Sequence, residues 1–156
     1  MKITLLVTGK TTCDYLKDGI SLYSGRIKHY ISFEIKVIPD LKNTKNLSAA
    51  QVRETEGKLA MEQINKADTL IILDERGELL NSEEFARFIE KKMISGCRNL
   101  IFLAGGSFGF SELVYGKASG IISLSKMTFS HQLIRLIFME QLYRAFTIIK
   151  GEPYHH

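Results

Sequence analysis

Cysteine is scarce in this chain: there are two, Cys13 and Cys97. They form no CxxC pair and no metal spacing, which excludes a disulfide framework and suits a reducing cytosol. Four scattered histidines assemble no metal set, and no HExxH, Ser/His/Asp order or paired carboxylates stand out. No stretch approaches the about 18 apolar residues of a membrane span. The opening MKITLLVTGK has neither the h-region nor the cleavage pattern of a signal peptide. Repeats, low-complexity tracts and blocks of like charge are also missing. The reading is a cytoplasmic chain with no metal and no membrane association.

What is present is ordinary in amount. Hydrophobic residues make up 45% and charged residues 24% of 156 positions, enough for one domain over 1–156 with a real core. The net charge is +4 and the pI about 9.0. Residues 1–68 carry 11 Lys and Arg against 8 Asp and Glu, and residues 69–156 carry 10 against 9. That balance permits nucleic-acid binding without demanding it.

Hydrophobic periodicity predicts alternating strands and helices. Residues 2–8 form a first buried strand stopped by Gly9, and apolar positions from Tyr15 to Ile27 repeat with a helical period. Residues 31–38 alternate as a strand closed by Pro39, residues 40–47 are a loop, and Ser48 caps a helix to about Asn65. Thr69–Leu73 is a short strand ending at Asp74, followed by a turn over 74–77. Ser82 opens a helix stopped by Gly96. Asn99–Ala104 is a strand, Ser111 begins a short helix to about Ala118, and Ile121–Ser123 is the last strand. A long helix covers about 130–148. The fold class is therefore α/β, a largely parallel sheet flanked by helices. Ligands in such sheets sit at the carboxyl ends of strands. Three strand ends carry unusual loops: Leu73-Asp74, the run from Gly105, and Ser123–Phe129. All lie in the second half, which suggests a scaffold half before residue 68 and a ligand half after it.

The long helix is apolar almost all round, with Leu133, Ile134, Ile137, Phe138, Leu142, Ala145 and Phe146 spread over every side. Such a helix is buried on several sides, and a second copy of the chain would bury it. It also carries His131 and Arg135, then Glu140 and Arg144, each pair four apart and on one face. His131 could move a proton or be structural; Arg135 and Arg144 could grip phosphate or pair with Glu140. Gly105-Gly106-x-x-Gly109 follows a strand and precedes a helix. It permits close backbone approach to a ligand, and it equally makes a tight turn. It is neither GxGxxG nor a P-loop. The terminal histidines could be tag remnants, although Pro153-Tyr154 argues against that for His155.

The order of these motifs is more specific than any one of them. Leu73-Asp74-Glu75-Arg76-Gly77 is followed by Ser82–Ala86, Gly105-Gly106-x-x-Gly109, Ser123-Leu124-Ser125-x-Met127-Thr128-Phe129-x-His131, Glu140–Ala145 and Pro153-Tyr154-His155. The whole chain resembles the ribosomal RNA large-subunit methyltransferase H family of the SPOUT class. The resemblance implies a trefoil knot in the C-terminal half, about 69–156, which general topology rules would not suggest. It implies S-adenosylmethionine held by Leu73 and Asp74, by Gly105, Gly106 and Gly109, and by Leu124, Ser125, Lys126, Met127, Thr128 and Phe129. It implies a homodimer with the long helix at its seam. The implied substrate is N3 of a pseudouridine in large-subunit rRNA on the assembled ribosome.

On this resemblance the C-terminal tail closes over the target base. Tyr154 stacks on or hydrogen-bonds the base, and His155 orients it or accepts its proton. His131 and Arg135 are further candidates for substrate or phosphate contact. The modest net charge fits recognition of a preformed ribosomal surface by shape. Two competing expectations are a non-catalytic ribosome-binding assembly factor, which would bind ribosomes without the cofactor, and a small nucleotide-binding protein, which ATP or a dinucleotide would stabilise.

Overall fold

The computed structural model describes residues 1–155, the last by its backbone alone; His156 and the His155 side chain lie outside the described residues. Five parallel strands form one sheet in the order β2-β1-β4-β3-β5. In chain order these are β1 (Lys2–Thr8), β2 (Ser32–Ile38), β3 (Thr69–Leu79), β4 (Asn99–Ala104) and β5 (Gly120–Ser123). Between and after them run α1 (Asp14–Ile27), α2 (Ala49–Glu62), α3 (Ser82–Ile94), α4 (Glu112–Lys117) and α5 (Leu133–Lys150). The strands are short apolar runs because both faces of the sheet are covered.

Alternation along each strand sorts the core into two layers. Ile3, Leu5 and Val7 of β1, with Leu100 and Phe102 of β4, face α1, α3 and α5. Leu6, Leu70, Ile72, Ile101 and Leu103 face α2 and α4. The helix starts are locally encoded. Ser48 and Gln51 cap α2 reciprocally, and Asn81 and Glu84 do the same for α3, satisfying backbone donors that a helix leaves free. Asn81 therefore caps α3, which opens at Ser82 as expected. Ser48→Ala is expected to cost about 1 kcal/mol, read as a lowered denaturant midpoint.

Two elements depart from the sequence reading. β3 does not end at Asp74. It continues to Leu79 after residues 74–77 swing out of register, so that Leu73 and Glu78 both lie opposite Ile122. Gly77 permits this: a side chain there would lie 2.7 Å from the backbone of Ile121 and Ile122. The second departure is α5. From Leu133 to Ile149 every residue is buried or half-buried within one chain, because α1 and α3 pack on either side of it over the sheet. Within one chain α1 and α3 thus cover much of the helix, while Ile134 and Ile137 among others stay half-buried. β5 lies outside β3, and the chain then returns into α5.

Candidate functional site

The out-of-register stretch of β3 and the carboxyl ends of β4 and β5 open into a cavity of about 700 Å³, within the range of small-ligand sites. All three loops singled out from the sequence line it. The out-of-register excursion of β3 contributes Leu73, Asp74, Glu75 and Arg76. The glycine run contributes residues 105–111, and the β5–α5 loop contributes Leu124, Ser125, Met127, Thr128 and Phe129. His131 and Ile134 close the far side. Lys126, between Ser125 and Met127, is exposed and is not among the residues lining the cavity.

The scaffold half takes part as well. Ala50, Arg53 and Glu54 of α2 form one wall, and Glu112 and Tyr115 of α4 another. No motif marked them, because their position depends on α2 crossing the sheet face next to the glycine run. Four carboxylates, Glu54, Asp74, Glu75 and Glu112, stand against two guanidiniums, Arg53 and Arg76. That excess favours a cationic ligand.

Side-chain hydrogen bonds fix the walls. The Tyr115 hydroxyl donates to Asp74 Oδ2 at 2.7 Å, and the Arg76 amide donates to Oδ1 at 2.8 Å. Burial, reinforced by that bond, pushes the Tyr115 phenol up to about 12, so it stays a neutral donor near neutrality. Thr128 Oγ1 donates to Glu75, tying the β5–α5 loop to the β3 excursion at 3.3 Å. Ser123 Oγ donates to Ser125 O, and the Met127 amide donates to Ser125 Oγ. Ser107 Oγ and His131 Nδ1 share a hydrogen bond of 3.2 Å.

Each glycine of the run has a reason inside the protein. A side chain on Gly105 would meet the Phe110 ring at 3.0 Å, and one on Gly106 would meet Glu56 Oε2 at 2.6 Å. Gly109 has φ +78, a region that favours glycine. The run is thus a tight turn and a cavity wall at once. Burial, helped by the charge of Asp40, raises the Glu56 carboxyl above its ordinary value. A raised carboxyl binds its proton more tightly in the fold, so its ionisation destabilises the fold as pH rises. Glu56→Gln is therefore expected to raise Tm at pH 8, with the gain vanishing toward pH 4; a gain independent of pH would contradict this.

Of the polar candidates, His131 reaches the cavity, two residues ahead of α5 rather than within its first turn. Ser130 Oγ accepts the Leu133 amide there at 3.2 Å. Arg135 is not available to phosphate. It is 2% exposed, and its guanidinium donates to Gly9 O, Thr8 O, Thr11 Oγ1 and His131 O. Tyr154 does not line the cavity. Its hydroxyl lies 3.2 Å from that of Tyr23 and 3.3 Å from Glu140 Oε1. Its ring packs edge-on to Tyr143 and under the Arg144 guanidinium. Arg144 in turn pairs with Glu140 at 2.6 Å. The His155 side chain lies outside the described residues. Among those residues no cluster of three or more potential metal ligands occurs, and no helix is long and apolar enough to cross a membrane.

An α/β domain with a cavity walled by the β3 excursion and by the loops after β4 and β5 has the layout of a parallel-sheet ligand-binding domain. The family described as predicted SPOUT methyltransferase matches residues 1–155. Two solved structures share the fold. A probable methyltransferase from Bordetella pertussis Tohama I matches at TM-score 0.56 over 92% of this chain and 95% of its own, with 11% identity. A probable methylase family protein from Haemophilus influenzae Rd KW20 matches at TM-score 0.54 over 98% and 69%, with 13% identity. Sequence relatives are nearer. The ribosomal RNA large subunit methyltransferase H of Parabacteroides distasonis is 54% identical over 156 residues, covering 100% of this chain and 99% of that protein. The Cytophaga hutchinsonii protein of the same name is 53% identical over the full length of both. This chain belongs to the ribosomal RNA large subunit methyltransferase H family of the SPOUT methyltransferases.

Proposed function

We propose that this chain is an S-adenosylmethionine-dependent methyltransferase acting on N3 of a pseudouridine in large-subunit rRNA of the assembled ribosome. The observation that carries the reading is the convergence of three strand-end loops on one cavity, in a chain about half identical to its relatives from end to end. The cavity suits the cofactor. Its carboxylate excess favours a ligand with a sulfonium and an ammonium, and its loop backbone offers amides and carbonyls to a purine. S-adenosylmethionine supplies the methyl group, transferred by in-line displacement from sulfur.

The protein's part is placement and exclusion of water. In-line alignment of nucleophile and methyl supplies much of the acceleration. Asp74, fixed by Tyr115, and the Thr128–Glu75 link hold two walls at set spacing. His131, fixed to Ser107, stands where a proton could pass. Tyr154 acts as a neutral hydrogen-bond partner to the base: burial, then the Tyr23 bond and Glu140, raise its phenol, so it is no base near neutral pH. His155, beside it in sequence, is the proton acceptor in this reading.

Tyr154 is held at the level of Glu140, away from its own cavity, which supports a homodimer in which each tail serves the partner's cavity. Exposed Tyr15 and Leu22 on α1, beside α5, offer apolar surface for that seam. The whole chain then works as one methyltransferase domain, in the cytoplasm, on ribosomes. The test is transfer of labelled methyl from S-adenosylmethionine to assembled ribosomes, isolated large subunits and naked rRNA from cells lacking the gene. Label in a pseudouridine of assembled ribosomes is expected. Ribosome binding with no label on any substrate would leave an assembly factor instead.

A further inference from the structure

The glycine turn carries two aromatic residues that part company. Phe110 turns inward, edge-on to Tyr115 with centroids 6.0 Å apart, and its ring occupies the space beside Gly105. Phe108 turns outward: it is 51% exposed although it lines the cavity. The backbone enforces this. The Gly109 amide donates to Gly106 O at 3.3 Å with Gly109 at φ +78, and Ser107 between them is held to His131. The ring stays at the tip of a pinned turn. Met127, on the β5–α5 loop, lines the same cavity and is 76% exposed. Apolar side chains held in water at the mouth of a cavity mark a surface that a ligand covers.

We propose that Phe108 stacks on an unpaired base of the substrate RNA at the mouth of the cavity, with Met127 as the adaptable opposing wall. The proposal rests on the rRNA methyltransferase reading above. A base whose ring nitrogen must meet a methyl donor has to leave its stack, and a fixed ring at the entrance replaces part of the stacking lost. The charge argues the same way. At a net +4, and with carboxylates outnumbering guanidiniums around the cavity, phosphate contacts there contribute little. Stacking on an aromatic face is the recognition mode left for single-stranded RNA. A rigid ring paired with a flexible thioether can grip a base from both sides.

The ring is at an exposed tip, so its removal leaves the fold intact. Phe108→Ala and Phe108→Trp are compared with wild type for kcat and KM on unmodified ribosomes, for ribosome binding by pelleting, and for cofactor Kd by calorimetry. Phe108→Ala is expected to raise KM and weaken ribosome binding by about 5- to 150-fold. Its cofactor Kd and its molecular mass in solution stay those of wild type, and Phe108→Trp restores KM. Unchanged KM and ribosome binding in Phe108→Ala would overturn the proposal. So would a cofactor Kd that rises in step, which would put the ring in the cofactor site, or a changed mass, which would put it in a seam between copies. The binding arm separates the two readings. A wild type that binds ribosomes through Phe108 yet transfers no methyl would sink the enzyme reading and keep the stacking contact.

Discussion

Tyr154→Ala is expected to lower kcat by roughly two orders of magnitude or more while leaving cofactor affinity within about twofold, because misplacement near the reacting atoms costs on that scale. The cofactor arm follows from position: Tyr154 touches Tyr23, Tyr143, Glu140 and Arg144, and no wall of the cavity. The activity arm follows from the phenol's setting. It is anchored on two sides and stays protonated, so it presents a hydrogen-bonding edge to whatever the tail covers. Tyr154→Phe keeps the ring among Tyr143 and Arg144 and loses only the hydroxyl, so it should retain more activity than alanine. If the tail serves the partner's cavity, mixing Tyr154→Ala subunits with subunits inactivated at Gly105 should restore part of the activity through heterodimers. Two inactive variants that stay inactive on mixing would assign each tail to its own cavity. Single-turnover methyl transfer with a calorimetric cofactor Kd reads every arm.

The sheet was legible because its strands are short apolar runs bounded by glycine, proline and polar turns, and periodicity reads such boundaries well. The three loops were legible for the same reason: Gly105 and Ser123 sit where a strand stops and Leu73 where one leaves register, and parallel sheets put ligands at such ends. Less visible was anything set by register or by packing between distant elements. The excursion of residues 74–77 reads as a turn, yet β3 resumes afterwards because Glu78 and Leu79 pair again with β5. Arg53, Glu54 and Tyr115 carry no motif, and they enter the cavity only because α2 and α4 cover the same face as the glycine run. The all-round apolar character of α5 identified a buried helix, but α1 and α3 do the burying. Knotting, too, leaves no trace in periodicity; the family resemblance alone implied it.

Arg135→Met is expected to be the most destabilising single substitution outside the apolar core. Four bonds leave this guanidinium, and three of their acceptors are backbone carbonyls: Thr8 O and Gly9 O at the end of β1, and His131 O ahead of α5. Burial lowers the Arg135 pKa, so holding the charge there has a cost. Replacing a buried charge by an apolar side chain is often neutral when its partners leave with it. Here they remain. Carbonyls left without donors cost on the order of 1–3 kcal/mol each, so a net loss of about 3–5 kcal/mol is expected after the relief of the charge. In a domain of this size that corresponds to a Tm lower by roughly 10 °C. Arg135→Lys should recover part of it, since one ammonium cannot span acceptors on both β1 and the α5 approach. Function should follow geometry. Nε of Arg135 holds the carbonyl of His131, whose ring pins Ser107 of the glycine turn, so cofactor affinity should fall with stability even though Arg135 touches no ligand. Thermal unfolding with and without S-adenosylmethionine measures both. A Tm within two or three degrees of wild type, or an unchanged cofactor-induced shift, would mean that the end of β1 and the cavity are not coupled through this side chain.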